Sequence, residues 1–310
     1  MNNILMLLSS NLKNIVSKQS LLLGSDTVEI RLRINSPILI KRIKQDLFLN
    51  ESYKVSKRDI DETVANLTRN SIHAFEKEIK SGYITIEGGH RVGLGGDCIY
   101  ESESFKGFKN ITSLNIRIAR EYRGCSENSI KYFISSSKNI YNTLIIGPPL
   151  SGKTTFLRDL CSILSDGCKN PYFEGCDITL IDERGEISAI HNGVPQMYVG
   201  ERTDVLSYCM KREGFLMGIR ALSPKVIISD ELGSKDDFEI LQYALKSGVN
   251  IITTAHGFSI EDVKKNLYMK TIIDNNFFDR AIILKNNKKP CIVKEVFDFE
   301  RNRVIFNDMG

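Results

Sequence analysis

Gly147-Pro148-Pro149-Leu150-Ser151-Gly152-Lys153-Thr154-Thr155 matches the pattern G-x-x-x-x-G-K-[ST] in full. The chemistry such a pattern permits is the holding of nucleotide phosphates, with ATP and Mg2+ as the natural ligands. Glycines let the backbone wrap an anion, and amides at the start of a following helix point at its oxygens. Lys153 brings a positive charge to the β and γ phosphates, and the Thr154 hydroxyl can ligate Mg2+. A chance match is the competing reading. The context argues against it, because an apolar run over 143–146 precedes the loop and a helical pattern toward Leu160 follows.

Val226-Ile227-Ile228-Ser229-Asp230-Glu231 is an apolar strand ending in two acids, the form of a Walker B segment. Asp230 would hold the hydration shell of Mg2+, and Glu231 would polarise an attacking water as general base. Two acids after a strand also serve as helix caps, so the pair gains its meaning from the glycine loop. Between the two motifs lies another acidic strand end, Ile181-Asp182-Glu183-Arg184-Gly185-Glu186. Strand C-termini of a parallel sheet line one edge where ligands collect; the plainer alternative is a capped, solvated turn. His256 ends a further strand, where an imidazole could sense a γ-phosphate, or could simply be a surface histidine. The remaining histidines have no partner pattern, so no zinc site is expected. Neither G-x-S-x-G nor a Cys–His signature supports covalent hydrolase chemistry.

These residues need a scaffold that brings strand ends together. Short apolar strands over 143–146, 178–181, 226–229, 250–254 and 280–284 alternate with helical stretches, which predicts an α/β sheet covered on both faces. Ser234 and Ser259 each precede an acid at the third position, Asp237 and Asp262, and are expected to cap two of the helices. A turn over 286–290 leads to added strands over 291–297 and 304–306. The chain before residue 125 reads differently, as a smaller α+β domain. It begins with one amphipathic helix over 4–23, followed by a strand over 28–33 with Val28, Ile30 and Leu32 on one face and Glu29, Arg31 and Arg33 on the other. A second strand over 37–40, a helix capped by Ser56 and Asp59, a helix over 71–80, a hairpin around Gly88-Gly89 and a strand over 113–119 complete it. The polar stretch over 121–128 marks a hinge before a helix over 129–135. The expected domains are therefore 1–124 and 125–310.

Composition sets the outer bounds. With 310 residues, 42% apolar and 26% charged, the chain is globular and not wholly disordered. The net charge of +4 divides as +5 over residues 1–124 and −1 over the rest. That modest basic excess could meet an anionic surface, although a solvated face explains it as well. Seven cysteines without a C-x-x-C read as reduced thiols. The apolar start lacks a signal peptide's basic n-region, and no stretch reaches the roughly 20 apolar residues of a bilayer span. A soluble, intracellular protein is expected.

Taken together these segments resemble the family of stage III sporulation AA proteins, AAA-like/RecA-like ATPases of endospore-forming bacteria related to the type II and type IV secretion ATPases. Glu29-Ile30-Arg31-Leu32-Arg33, 82–94, 115–120, the glycine loop, 181–186, 200–206, 219–224 and Thr254-Ala255-His256-Gly257 carry the resemblance across nearly the whole chain. The order of P-loop, acidic box, Walker B and His box separates this group from RecA and helicases. The resemblance implies a RecA-like P-loop ATPase domain preceded by the smaller α+β domain. It implies a cytoplasmic, hexameric motor attached peripherally, through a membrane channel partner, to a complex between mother cell and forespore. The 147–155 loop would bind ATP, Thr154 and Asp230 the Mg2+, and Glu231 would support hydrolysis. Glu183 and His256 belong to the accessory boxes, and Arg91, Arg117 and Arg120 would approach the nucleotide. Lys225 departs from the usual Asp before the Walker B strand, and Leu150 and Ser151 vary the loop centre. Two other classes are weighed against the motor. A nucleic-acid-stimulated translocase would be expected to interleave aromatics with basic residues, and the chain has no Trp and no such run. A nucleotide-dependent scaffold with slow turnover would have no need of Glu231.

Overall fold

The structure is a computed structural model that describes residues 2–19, 24, 26–71, 75–285 and 290–308. The chain forms two units, Met1–Arg120 with Ala189–Gln196, and Glu121–Ser188 with Met197–Gly310.

In the first unit, the single helix expected over 4–23 is two: α1 (Asn2–Leu7) and α2 (Ser10–Lys18). Ser9 breaks it by becoming an N-cap, its Oγ accepting from the Leu12 amide. The same hydroxyl donates to Asp59 at 2.8 Å, and the Ser9 amide donates to Thr63. Residues 20–23 of that expected helix lie outside the described residues. Strand β1 (Thr27–Arg33) pairs with β2 (Ile38–Arg42) through a register shift between Thr27 and Glu29. The shift moves side chains to opposite faces. Val28 is therefore 43% exposed and Glu29 only 5% exposed, the reverse of simple alternation. Arg31 at 2.6 Å and Arg117 at 3.4 Å pair with the buried Glu29 carboxylate. Strand β3 (Leu47–Leu49) follows, then α3 (Lys57–Leu67), whose Ser56–Asp59 capping box forms as expected. Helix α4 (Glu76–Lys80) is shorter than the predicted 71–80, of which 72–74 lie outside the described residues.

Strands β4 (Tyr83–Thr85), β5 (Arg91–Glu101) and β6 (Ser104–Arg117) complete an antiparallel sheet in the order β3-β2-β1-β6-β5-β4. The β4–β5 turn uses Gly88 and Gly89 at φ 83 and 73, as Gly-Gly predicts. Strand β6 starts nine residues before the expected 113. Irregularities at 95–100 break the period-two pattern there, and a Cβ on Gly96 would lie 1.9 Å from the Asn110 carbonyl oxygen. The segment Ala189–Gln196 also belongs to this unit, tied by the Gly88 amide donating to Gln196 Oε1 at 2.8 Å.

The second unit opens with a 3-10 turn over Glu127–Tyr132 and the ribbon β7 (Ile134–Ser136) and β8 (Asn139–Ile140), where a helix over 129–135 was expected. Ile134 pairs with Ile140 and so leaves the helical path. Then come β9 (Thr143–Gly147), α5 (Lys153–Asp166), the small ribbon β10 (Cys168–Lys169) and β11 (Tyr172–Phe173), β12 (Ile178–Asp182) and β13 (Thr203–Ser207). They are followed by α6 (Lys211–Met217), β14 (Val226–Glu231), α7 (Asp236–Lys246), β15 (Asn250–His256), α8 (Ile260–Val263), α9 (Leu267–Asp274), β16 (Arg280–Leu284), β17 (Val293–Asp298) and β18 (Arg303–Asn307). The turn predicted over 286–290 falls, for 286–289, outside the described residues.

The main sheet has the order β13-β12-β14-β15-β9-β16-β17-β18, parallel through β16 and antiparallel beyond. Central strands are buried on both faces, which explains their continuous apolar runs. One face packs Phe133, Phe156 and Leu160; the other packs Phe215, Leu241 and Ile272. Each such fully buried side chain contributes roughly 1.5–3 kcal/mol. The sheet thereby fixes the C-terminal ends of β9, β12, β14 and β15 at one edge.

Candidate functional site

At that edge β9 runs into the 147–155 loop, and α5 begins at Lys153 with Gly152 as its N-cap. Gly152 has φ 90 and Leu150, exposed at the tip, has φ 65. A Cβ on Gly147 would lie 2.4 Å from Ser151 Oγ, and one on Gly152 would lie 2.7 Å from Pro290 Cβ. Gly152, with its left-handed φ and the Cys291 backbone nitrogen 2.9 Å from such a Cβ, therefore demands glycine, and a side chain at 147 would have to displace the Ser151 hydroxyl. Ser151 Oγ is buried without a hydrogen-bond partner, while its carbonyl accepts from the Cys291 amide at 2.8 Å. Lys153 Nζ donates to the Gly147 and Pro148 carbonyls at 2.7 and 3.2 Å. Burial pushes this ammonium below the usual lysine range, opposed by the charge of Glu231. Amides at a helix start, a lysine and an orphaned hydroxyl make a cradle suited to a phosphate. Thr154 and Thr155, half-buried, occupy the first turn of α5.

The acidic strand ends differ from one another. Asp182, fully buried at the end of β12, accepts from the amides of Glu186, Ile187 and Ser188 and from Ser188 Oγ at 2.7 Å. Arg158 of α5 holds the same loop from its other side by donating to the carbonyls of Glu186 and Ile187. Glu183, next along, is partly exposed. At the end of β14, among the described residues no group donates a hydrogen bond to the Asp230 carboxylate. Burial raises that carboxyl to about 6; Lys211 pulls it back, and Glu183 adds to the rise. A bulge between Ile228 and Glu231 shapes this end, and Thr253 Oγ1 donates to the Asp230 carbonyl at 2.7 Å. The helix cap expected from Ser234 is absent: α7 starts at Asp236, and it is Asp237 that accepts from the amides of Gly233 and Ser234, each at 2.7 Å. The Ser259 cap of α8 forms as expected.

His256 ends β15 directly opposite Gly147 in the parallel register, exposed beside the start of the glycine loop. Asp230, Glu231, His256, Glu183 and the loop thus share one edge of one sheet. Arg91, Arg117 and Arg120 all belong to the first unit. Arg91 faces Arg117 across β5 and β6, and its guanidinium lies 4.6 Å over the Tyr83 ring. Arg120 donates to the Thr27 carbonyl. Sequence reasoning missed Arg158, Lys211 and Asp159, whose carboxylate accepts from the Gly124 and Ser126 amides at 2.7 Å. Lys211 follows β13, a strand too polar to be read from its pattern; a strand-end rule would have found the lysine had that strand been visible.

The family model for sporulation stage III, protein AA, matches residues 1–304. Stage III sporulation protein AA of Bacillus subtilis (strain 168) is 41% identical over 304 residues, which cover 97% of this chain and 96% of that protein. The uncharacterized protein ycf45 of Cyanidium caldarium is 27% identical over 194 residues, 61% of this chain and 55% of that one. Among solved structures, the X-ray structure of the Legionella pneumophila ATPase DotB is 15% identical with a TM-score of 0.58, covering 93% of this chain and 80% of its own. The pilus retraction motor PilT with bound ADP is 14% identical with a TM-score of 0.56, covering 86% and 76%. The fold is that of the RecA-like secretion ATPases, with an antiparallel N-terminal sheet domain before it, as the sequence predicts. On a match that runs through residue 304, the chain belongs to the sporulation stage III protein AA family.

Proposed function

We propose that the protein is an ATP-hydrolysing motor of the secretion-ATPase type that works from the cytoplasm on a membrane channel complex between mother cell and forespore during endospore formation. Its working form is a homo-oligomer, a hexamer by family inference. The observation that carries this reading is the convergence at one sheet edge of the glycine loop, an acidic pair and His256. In this reading the loop amides bind the phosphates, and Lys153 exchanges its own loop carbonyls for phosphate oxygens. Thr154 and Asp230 are the Mg2+ ligands. Asp230 fits that task because its half-buried carboxylate has oxygens not already taken by donors among the described residues, and one carboxylate with one hydroxyl suits a Mg2+ that keeps waters and phosphates as its other ligands. The metal, when bound, neutralises charge on the phosphates. Glu231 orients and deprotonates the attacking water. Glu183 and His256 flank the reacting phosphate, and Arg91, Arg117 and Arg120 are candidate contacts to nucleotide, from this or another copy of the chain.

Phosphate release from Mg-ATP, followed against protein concentration, tests the reading. The expected result is a specific activity that rises with concentration, ignores added single-stranded DNA and falls about 100-fold or more in Glu231→Gln. Dependence on DNA would favour a translocase instead. Equal silence of wild type and variant, with both binding ATP, would replace the motor by a nucleotide-dependent scaffold.

A further inference from the structure

Lys211 is the first residue of α6, yet its side chain is only 12% exposed. Lysines are rarely buried unless paired, and a cation at a helix N-terminus opposes the helix dipole. Local helix preference therefore does not account for this residue. Its contacts do. The ammonium donates to the main-chain carbonyl of Glu231, lies 3.6 Å from Asp237 Oδ1 and lies 4.0 Å from Glu183 Oε2. Those partners come from three separate places: the last residue of β14, the first turn of α7 and the residue after β12. The first is a hydrogen bond and the other two are ion pairs, so one ammonium joins all three.

We propose that Lys211 is the positioning residue of the acidic edge, pinning the backbone of Glu231 and gathering Asp237 and Glu183 around it so that the acidic pair is in place before nucleotide arrives. The inference rests on the ATPase reading above. Asp237, itself 4% exposed, uses Oδ2 to hold the amides of Gly233 and Ser234, so Lys211 and Asp237 together fix the chain on the C-terminal side of Glu231. The Leu232 amide donates to the Thr254 carbonyl at 2.8 Å and closes the same stretch against β15. Glu231 thus has a restrained backbone from which its carboxylate projects. A charge of the right sign elsewhere would not replace this, because the contact to residue 231 is a hydrogen bond to a carbonyl. Lys211 touches no substrate in this arrangement and acts through Glu231.

The test compares wild type with Lys211→Met, Lys211→Arg and Asp237→Asn by steady-state ATP hydrolysis, binding of a fluorescent ADP analogue, and amide hydrogen exchange over 231–236. In Lys211→Met, kcat should fall about tenfold or more, the cost of a misplaced group, while KM and analogue affinity stay within about twofold. Exchange of the amides at 232–234 should quicken about tenfold. Lys211→Arg, which keeps a donor for the carbonyl, should recover most of kcat. Asp237→Asn keeps an oxygen for the Gly233 and Ser234 amides and should fold normally, losing kcat by a smaller factor with analogue affinity unchanged. The inference is overturned if Lys211→Met keeps its kcat, if affinity falls together with kcat, or if the arginine variant shows no recovery. A wild type that binds the analogue but never turns over would defeat the ATPase reading instead; unaltered exchange in Lys211→Met would then defeat the pinning as well.

Discussion

Asp182 closes β12 and Asp230 is the penultimate residue of the neighbouring parallel strand β14, and each is followed by a glutamate. The protein treats their charges in opposite ways. After Asp182 the chain folds back through Gly185, at φ 61, and turns the amides of residues 186–188 onto the carboxylate. After Asp230 the chain also offers amides, but Asp237 takes those of Gly233 and Ser234. One aspartate is consumed in building a loop. The other is left half-buried, with its carboxyl raised to about 6 by desolvation first of all. The difference teaches that here a second acid, Asp237, takes the capping duty that Asp182 performs for its own loop, and so leaves the Asp230 carboxylate outside that network.

The largest effect expected from this contrast is at the consumed carboxylate. Asp182→Ala strands buried amides and opens a hole, and should cost about 3 kcal/mol or more in urea unfolding. Asp59 of the first unit extends the comparison, since it accepts from Ser56, Tyr53 and Ser9. Burial alone would raise its carboxyl, yet the hydrogen bonds from Ser56 and the others hold it below the usual aspartate value. A depressed carboxyl contributes stability above its unfolded pKa and loses it as pH falls through the folded one. Asp59→Asn should therefore lower stability by about 1–2 kcal/mol at pH 7, a gap that closes below about pH 4. Asp230→Asn should act with the opposite sign. In metal-free buffer at pH 7.5 it is expected to stabilise by about 1 kcal/mol, allowing for partial solvent exposure, because the penalty of a raised carboxyl is present above its folded pKa and is relieved as pH falls toward the unfolded value. A thermal scan in which Asp230→Asn melts below wild type would sink the distinction between the two aspartates. The smallest effect is Ser188→Ala, which removes one of several donors to Asp182 and should cost under about 1 kcal/mol, read in the same urea titration.

How much of this was legible depended on where each feature's partner lies. The strands that carry the site are buried on both faces, so 143–146, 178–181, 226–229 and 250–254 stand out as apolar runs whose ends can be lined up. The glycine loop is local chemistry, readable in nine consecutive residues. The first unit hid more. Ser9 ends α1 because Asp59 and Thr63 receive it, 50 and 54 residues away, and no window of sequence contains that bond. The face of β1 inverts at a register shift decided by β2. At α7 the sequence offers Ser234 as the cap, and the carboxylate of Asp237 three residues on takes the amides instead. Lys211 was invisible for the same reason, since its partners lie on β14, α7 and the residue after β12.

The placing of Ala189–Gln196 in the first unit means that the chain passes between the units at Arg120–Glu121, at Ser188–Ala189 and again at Gln196–Met197. No single cut in the gene separates them. A fragment ending at residue 120 would leave the Gly88 amide without Gln196, and a fragment starting at residue 121 would carry eight residues severed from their own core. Dissection of this protein calls for replacing 189–196 by a short linker in the second unit and restoring the segment as an added peptide to the first. The covalent connectivity also makes Ser188, which donates to Asp182 twice, the last residue of the second unit before the strap departs.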